Sequence, residues 1–220
     1  MAGKILTPIL QGEMEWILED EVQLYNRKDE EETVKDALIR NLRIEEGDFS
    51  SMRFSAVLFE NCIFQDCNFE KGEFTDVIFQ SCDISNCSFE NSYFNRTLFR
   101  SSKGMGAKFC GSTMLHTSVE SCNFNYANFD SSKLEHIRFF ETQLQGGSLS
   151  QCRCKAVEWS RVNLEHASFF QTPMAGMDFT DSTIHSLVLS DNCHELRGAV
   201  VDLYQAAELA KYLGIVIKSE

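Results

Sequence analysis

Every fifth residue from Ile39 to Leu189 is apolar, with Gly104 the one exception. The column holds 31 positions without insertion or deletion and takes 16 of the 18 phenylalanines, from Phe49, Phe54, Phe59, Phe64, Phe69, Phe74 and Phe79 to Phe169 and Phe179. A period of five fits neither a helix face nor a simple strand, so the chain is a repeat structure. A second column lies two residues before the first and is small or apolar throughout: Ala37, Leu42, Gly47, Met52, Val57, Cys62, Cys67 and onward to Ser182 and Leu187. Neither column contains a charge. Residues two apart on extended backbone share a face, so both columns point inward. The next inward residue comes three positions later, which a flat strand cannot deliver. The backbone must turn a corner there, and the three remaining positions of each repeat face outward, as in Phe64-Gln65-Asp66.

A chain that turns the same way every five residues winds into a coil. One coil cannot cover its phenylalanines, but stacked coils can. Burial of each ring contributes roughly 2–3 kcal/mol. The number of sides does not follow from the period. Echoes 20 residues apart, such as Glu60-Asn61-Cys62 with Gln80-Ser81-Cys82 and Cys67-Asn68-Phe69-Glu70 with Cys87-Ser88-Phe89-Glu90, favour four sides of five.

Segments such as Ala127-Asn128-Phe129, Val162-Asn163-Leu164, Gly47-Asp48-Phe49 and Met177-Asp178-Phe179 resemble the pentapeptide-repeat family over about 150 residues. The resemblance implies an all-β fold, a right-handed quadrilateral β-helix. At about 4.8 Å per coil it would have nearly eight coils and a length of about 38 Å. Three parts are expected: an N-terminal cap over residues 1–36, the β-helix over 37–193, and a C-terminal helix and strand over 194–220.

The formal net charge of −13 argues against nucleic acid or an anionic membrane as a direct partner and favours a basic protein surface. Residues Ile5–Leu10 are too short for a signal peptide's apolar segment and contain Pro8, and no run is long enough for a bilayer, so a soluble, cytoplasmic protein is expected. Of the nine cysteines, Cys62, Cys67, Cys82, Cys87, Cys122 and Cys152 occupy the small inward column and Cys154 the central one. They read as small buried hydrophobes rather than as metal ligands or disulfides. His116 and His136 should stack on neighbouring coils, and Phe140 and Phe170 should point outward. No Ser-His-Asp set, phosphate loop or pocketed carboxylate pair is present, and a filled solenoid offers no cleft; neither enzyme activity, nor a cofactor, nor a metal is expected.

Residues 1–36 hold ten acids and four bases. Glu13 to Tyr25 reads as an amphipathic helix or an irregular rung, and Asp29 to Lys35 as a solvated turn or short helix; together they suit a cap on the first coil. At the other end, Asp202-Leu203-Tyr204-Gln205 reads as a helix start with Gln three residues after the cap. The helix should reach Leu213 and stop at Gly214, with Ile215-Val216-Ile217 following as a short strand. Leu203, Ala206, Ala207, Ala210, Leu213, Ile215 and Ile217 form an apolar surface that either plugs the last coil or joins two subunits.

This tail, Tyr204-Gln205-Ala206-Ala207 through Leu213-Gly214-Ile215-Val216-Ile217, resembles the C-terminus of Qnr-type pentapeptide-repeat proteins. The resemblance implies a homodimer joined through the tail. It also implies a function: binding DNA gyrase and topoisomerase IV and protecting them from quinolones. Plasmid-borne members carry two loops that interrupt the helix; this sequence has no matching insertion.

Qnr-type proteins are described as mimics of duplex DNA. A duplex carries one charge per about 1.7 Å, so a coil would need nearly three net negative charges to match it. Residues 44–90 contain ten acids and two bases and reach that density; residues 91–160 contain five acids and eight bases and do not. A local acidic patch is therefore expected, on Glu60, Asp66, Glu70, Glu73, Asp76, Glu90 and Asp130. Glu70, Glu90 and Asp130 should lie on one side of the coil. A generic binding scaffold and an immunity protein against a topoisomerase-directed toxin are the alternatives.

Overall fold

The computed structural model describes residues 4–10, 14 and 16–218. In chain order the elements are β1 (Trp16–Leu18), α1 (Glu21–Asp29), β2 (Val34–Arg40), β3 (Arg43–Glu45), β4 (Arg53–Glu60), β5 (Ile63–Gln65), β6 (Glu73–Gln80), β7 (Tyr93–Arg100), β8 (Thr113–Glu120), β9 (Lys133–Phe140), β10 (Arg153–Ser160) and α2 (Leu203–Ala210). Residues 20 apart pair in parallel: Phe54 lies opposite Phe74, Phe74 opposite Phe94, Phe94 opposite Met114, and Leu134 opposite Cys154. One turn is therefore four sides of five residues, centred in one coil on Phe54 (face 1), Phe59 (face 2), Phe64 (face 3) and Phe69 (face 4).

Each corner is made by the residue two after the central one, held in the left-handed region: Asn61 at φ 52°, Asp66 at 53°, Lys71 at 57° and Asp76 at 57°. Such a backbone costs about 1–2 kcal/mol per non-glycine residue. It persists because each corner closes onto the next coil, as where the Asn61 amide donates to the Gln80 carbonyl (3.0 Å) and the Lys71 amide to the Glu90 carbonyl (2.9 Å). The four sides are not alike. Faces 1 and 2 run together as strands of up to eight residues in one sheet, ordered β1-β2-β4-β6-β7-β8-β9-β10. Faces 3 and 4 pair through β3–β5 and single bridges, and their corners close as tight turns, with the Gly72 amide on the Phe69 carbonyl at 3.1 Å.

Inside, rings pile directly on one another: Phe59 on Phe79 at 4.7 Å, Phe79 on Phe99 at 4.8 Å, and Phe69 on Phe89 at 5.0 Å. The small column does more than fill space. Its hydroxyls and thiols donate to backbone carbonyls of the preceding coil, as Ser102 Oγ does to Phe79 O (3.1 Å) and Ser112 Oγ to Phe89 O (2.8 Å). All nine cysteines are free, and burial pushes Cys122 up to about 11 and Cys152 and Cys154 to about 12, so these three are inert thiols. Gly104 leaves a gap that the ring of Phe124 enters; a Cβ at 104 would stand 2.9 Å from it.

The first coil is covered by both structures read for its segment. β1 pairs with β2 at an offset of 21 instead of 20, and α1 follows, capped by Asp20. Leu24 is buried and Tyr25 packs on Phe49 at 5.1 Å. Glu13, the start of that segment, lies outside the described residues. Asp29 belongs to α1, and the turn is confined to the residues just after it.

Faces 1 and 2 carry strands over about seven turns, fewer than the eight expected. Pro173 has no N–H for the Cys152 carbonyl, and Trp159 is wider than the phenylalanines above it. No backbone hydrogen bond among the described residues joins β10 to 173–180, while faces 3 and 4 continue through the bridges Asn163–Thr183 and Ser168–Val188. The opening leaves Cys154 half-buried. Glu195 closes the end: its buried carboxylate accepts from the Gln171 amide (2.8 Å) and from the Ser190 amide and hydroxyl, in place of a further coil. α2 starts with a full capping box between Asp202 and Gln205 and tightens to a 3₁₀ turn over Lys211–Leu213 before Gly214 at φ 73°. Ile215–Ile217 forms no strand, and no strand among the described residues pairs with it.

Candidate functional site

The four-sided register sorts the acids of the first three coils onto two edges. On faces 3 and 4, over residues 42–51, 62–71 and 82–91, stand Glu45, Glu46, Asp48, Asp66, Glu70, Asp83 and Glu90 against Arg43 and Lys71. Of these acids only Asp48 has an ionic partner among the described residues, Lys28 of α1 at 2.6 Å. Its hydrogen bond to Lys28 holds the Asp48 carboxyl down at about 2. Six acids thus stand without an ionic partner on these two faces among the described residues.

Faces 1 and 2 differ. Asp76 is 9 % exposed and forms a two-point pair with Arg96, both contacts at 2.6 Å. Burial pushes its carboxyl up, but the Arg96 guanidinium and the Ile9 amide more than offset this and leave it below the ordinary range. Arg40 pairs with Glu19 at 2.6 Å and Lys35 with Asp36 at 3.6 Å. Among the described residues, Glu60 and Glu73 are the acids left without an ionic partner on the strands of these two faces in the same coils.

The seven acids singled out from sequence therefore do not form one patch. Asp66, Glu70, Glu90 and Asp130 lie on faces 3 and 4. Glu60, Glu73 and Asp76 lie on faces 1 and 2, with Asp76 neutralised. Asp130 shares face 4 with Glu70 and Glu90, but Cys110 interrupts the ladder between them, and the Ser150 amide binds its carboxylate at 2.8 Å. Glu45, Glu46 and Asp83 share the acidic edge and were hidden in the sequence, because their clustering depends on the number of sides.

The lower half carries different chemistry. Phe140 does point outward, clasped between Arg138 (4.7 Å) and Arg161 (4.5 Å), and His116 stacks on His136 at 4.8 Å. In the tail, Leu209 is buried against the last coil and the Tyr212 hydroxyl donates to the Leu187 carbonyl at 2.8 Å. Leu203, Ala206, Leu213, Ile215 and Ile217 are exposed, Ala207 and Ala210 half-buried, and Val216 is 88 % exposed.

The family model for the pentapeptide repeat region matches residues 52–129 and 72–149. Residues 52–149 carry the pentapeptide repeat. The chain is structurally similar to full-length QnrB1, a plasmid-mediated fluoroquinolone resistance protein, at 26% identity and a TM-score of 0.54 over 81% of this chain and 91% of that one. One trypsin-treated substituted form of QnrB1 matches at 26% and 0.53 over 86% and 91%. A second trypsin-treated form, with a different substitution, matches at 23% and 0.52 over 92% and 99%, a likeness of fold. No curated protein sequence matches the chain. None of its described helices is long and apolar enough to cross a membrane.

Proposed function

We propose that this chain is a non-enzymatic, cytoplasmic binding protein that docks its acidic edge on a type II topoisomerase, DNA gyrase or topoisomerase IV, and protects it from quinolones. The observation that carries the reading is the set of six acids without an ionic partner on faces 3 and 4 of the first three coils. The likeness to QnrB1, a fluoroquinolone resistance protein, gives the direction. Six unpaired acids against Arg43 and Lys71 leave a net charge of about −1.3 per coil, short of the nearly three that a duplex would present over about 4.8 Å. The edge is a local mimic at the outer end of the rod. Affinity carried this way is steep in salt and fast in association.

The exposed apolar tail supports a homodimer. Leu203, Leu213, Ile215, Val216 and Ile217 stand in water in one chain, and Ile215–Ile217 has no strand partner among the described residues. A second copy offers both. Tail-to-tail pairing would put the two acidic edges at the far ends.

A supercoiling assay with ciprofloxacin tests the function. Rescue of gyrase at micromolar protein is expected, and its loss with Glu70→Lys and Glu90→Lys. Neither rescue nor inhibition would leave a scaffold for another partner. Light scattering on Leu213→Glu tests the tail; a particle of unchanged mass would refute its role in dimerisation.

A further inference from the structure

The edge between faces 1 and 2, diagonally opposite the acidic one, is occupied by the chain itself. Residues 4–10 lie along it as an extended strap with no helix or strand pairing. Among the described residues, two bonds from its main chain hold the strap. The Leu6 amide donates to His116 Nδ1 (3.4 Å), and the Ile9 amide donates to Asp76 Oδ1 (2.9 Å). His116 and Asp76 are two coils apart, about 9.6 Å, and three extended residues span about 10 Å. The strap therefore runs along the rod axis in step with the coils.

The edge is built to receive it. Most outward positions elsewhere are polar, yet face 2 carries Leu38, Leu58, Ile78 and Leu98 in one outward column, and face 1 adds Leu115. Leu98 is only 7 % exposed although its register points it outward, and Ala56 on the corner is equally covered. Asp76 is anchored by Arg96, so its Oδ1 is fixed for the incoming amide. Burial first, then His136 and Arg96, hold His116 below its ordinary range, so at neutral pH its Nδ1 lone pair is free to accept. Within the strap, Pro8 needs no donor and favours extended backbone at Thr7. Ile5, Pro8 and Leu10 are half-buried, while Leu6, Thr7 and Ile9 face water.

We propose that the edge from Asp76 to His116 is a binding groove for an extended apolar peptide, which this chain fills with its own residues 4–10. Recognition runs through two main-chain N–H groups three residues apart plus apolar side chains between and beside them. The ligand class is therefore an extended apolar segment with free amides at those two places, and a partner's segment of that kind exchanges with the strap. The groove is independent of the acidic edge and of any topoisomerase.

The test uses the full chain carrying Leu6→Pro and Ile9→Pro, which removes both donors and leaves every groove residue intact. A labelled synthetic peptide of residues 4–10 is titrated into it and into the unaltered chain. A tethered competitor acts at an effective concentration of about millimolar. The peptide is therefore expected to bind the double variant at least tenfold more tightly than the unaltered chain, and Asp76→Asn in the same variant should weaken it at least tenfold. Equal binding to both chains, binding to neither at millimolar peptide, or indifference to Asp76→Asn would overturn the groove. Amide exchange of the unaltered chain gives a check without any substitution. Leu6 and Ile9 should exchange at least tenfold more slowly than in the free peptide, and equal rates would overturn the proposal as well.

Discussion

The two diagonal edges of this rod share one backbone and one core yet meet water differently. On the edge of faces 1 and 2, strands of up to eight residues present apolar and ion-paired side chains, and the chain lays its own strap across them. On the edge of faces 3 and 4, tight turns present Glu45, Glu46, Asp66, Glu70, Asp83 and Glu90 with no ionic partner among the described residues. The inward columns are constrained by stacking every 20 residues. The outward positions are free of that demand, so the two edges are able to differ. Burying apolar surface under a strap is self-satisfying, whereas like charges stacked between coils weaken the helix slightly and stabilise nothing in the isolated chain.

The largest effect is expected where both edges depend on the same interior. Phe69 is fully buried between Phe49 (5.2 Å) and Phe89 (5.0 Å). Phe69→Ala should destabilise by about 3–5 kcal/mol in denaturant melts. If partner binding fell while the strap amides stayed protected, the two edges would be energetically separate pieces and not sides of one cooperative rod.

Next in size is Asp76, the residue that distinguishes the strapped edge most sharply. Asp76→Asn removes a half of the charge pair with Arg96 and weakens the acceptor for Ile9. A loss of about 1.5–3 kcal/mol is expected, the range for hydrogen bonds to charged groups. Rescue of gyrase should survive at temperatures where the variant is folded. Its loss there would place Asp76 in the partner surface and collapse the distinction between the edges.

Charge reversal on the acidic edge should do the converse. Glu70→Lys with Glu90→Lys should change stability by less than about 0.5 kcal/mol, as surface substitutions do. The same pair should weaken topoisomerase binding tenfold or more and flatten its salt dependence. Glu60→Lys with Glu73→Lys makes an equal change of net charge on the other edge and is expected to have a smaller effect. Equal effects from the two pairs would mean that net charge alone matters and its location does not.

The sequence carried the interior almost completely and the edges only in part. Stacking demands the same size and polarity every five residues, so the columns through Phe54, Phe59, Phe64 and Phe69 are written in plain repetition. The 20-residue register showed only as echoes, because no single side has its own residue rule. Without it Glu60 and Glu70 look like neighbours in a patch, whereas they stand on faces 2 and 4. The strap was illegible for a different reason: Ile5–Leu10 has no periodicity, and its place is set by two distant side chains, Asp76 and His116. The opening below β10 was written in two residues, Pro173 and Trp159, that keep the five-residue pattern while breaking the ladder. The hydroxyl and thiol bonds of the small column, such as Ser102 on Phe79 O, needed coordinates, since smallness alone predicted the same residues.

The smallest expected effect sits where the cap meets the acidic edge. Lys28 of α1 reaches Asp48 and holds its carboxyl at about 2, below the ordinary value of 3.8. A depressed carboxyl stabilises the fold above its ordinary value, and this contribution is lost as pH falls through about 2. Because the Asp48 side chain is 61 % exposed, solvent screens the pair and less than about 1 kcal/mol is expected. Lys28→Met should therefore melt slightly below the unaltered chain at pH 7, and the two should converge near pH 2. The same substitution frees a seventh acid on faces 3 and 4. If uncompensated charge on that edge is what a basic partner reads, Lys28→Met should lose stability yet bind the topoisomerase more tightly at low salt. A variant weaker in both respects would show that α1 contributes contacts of its own, and that the acidic edge extends onto the cap.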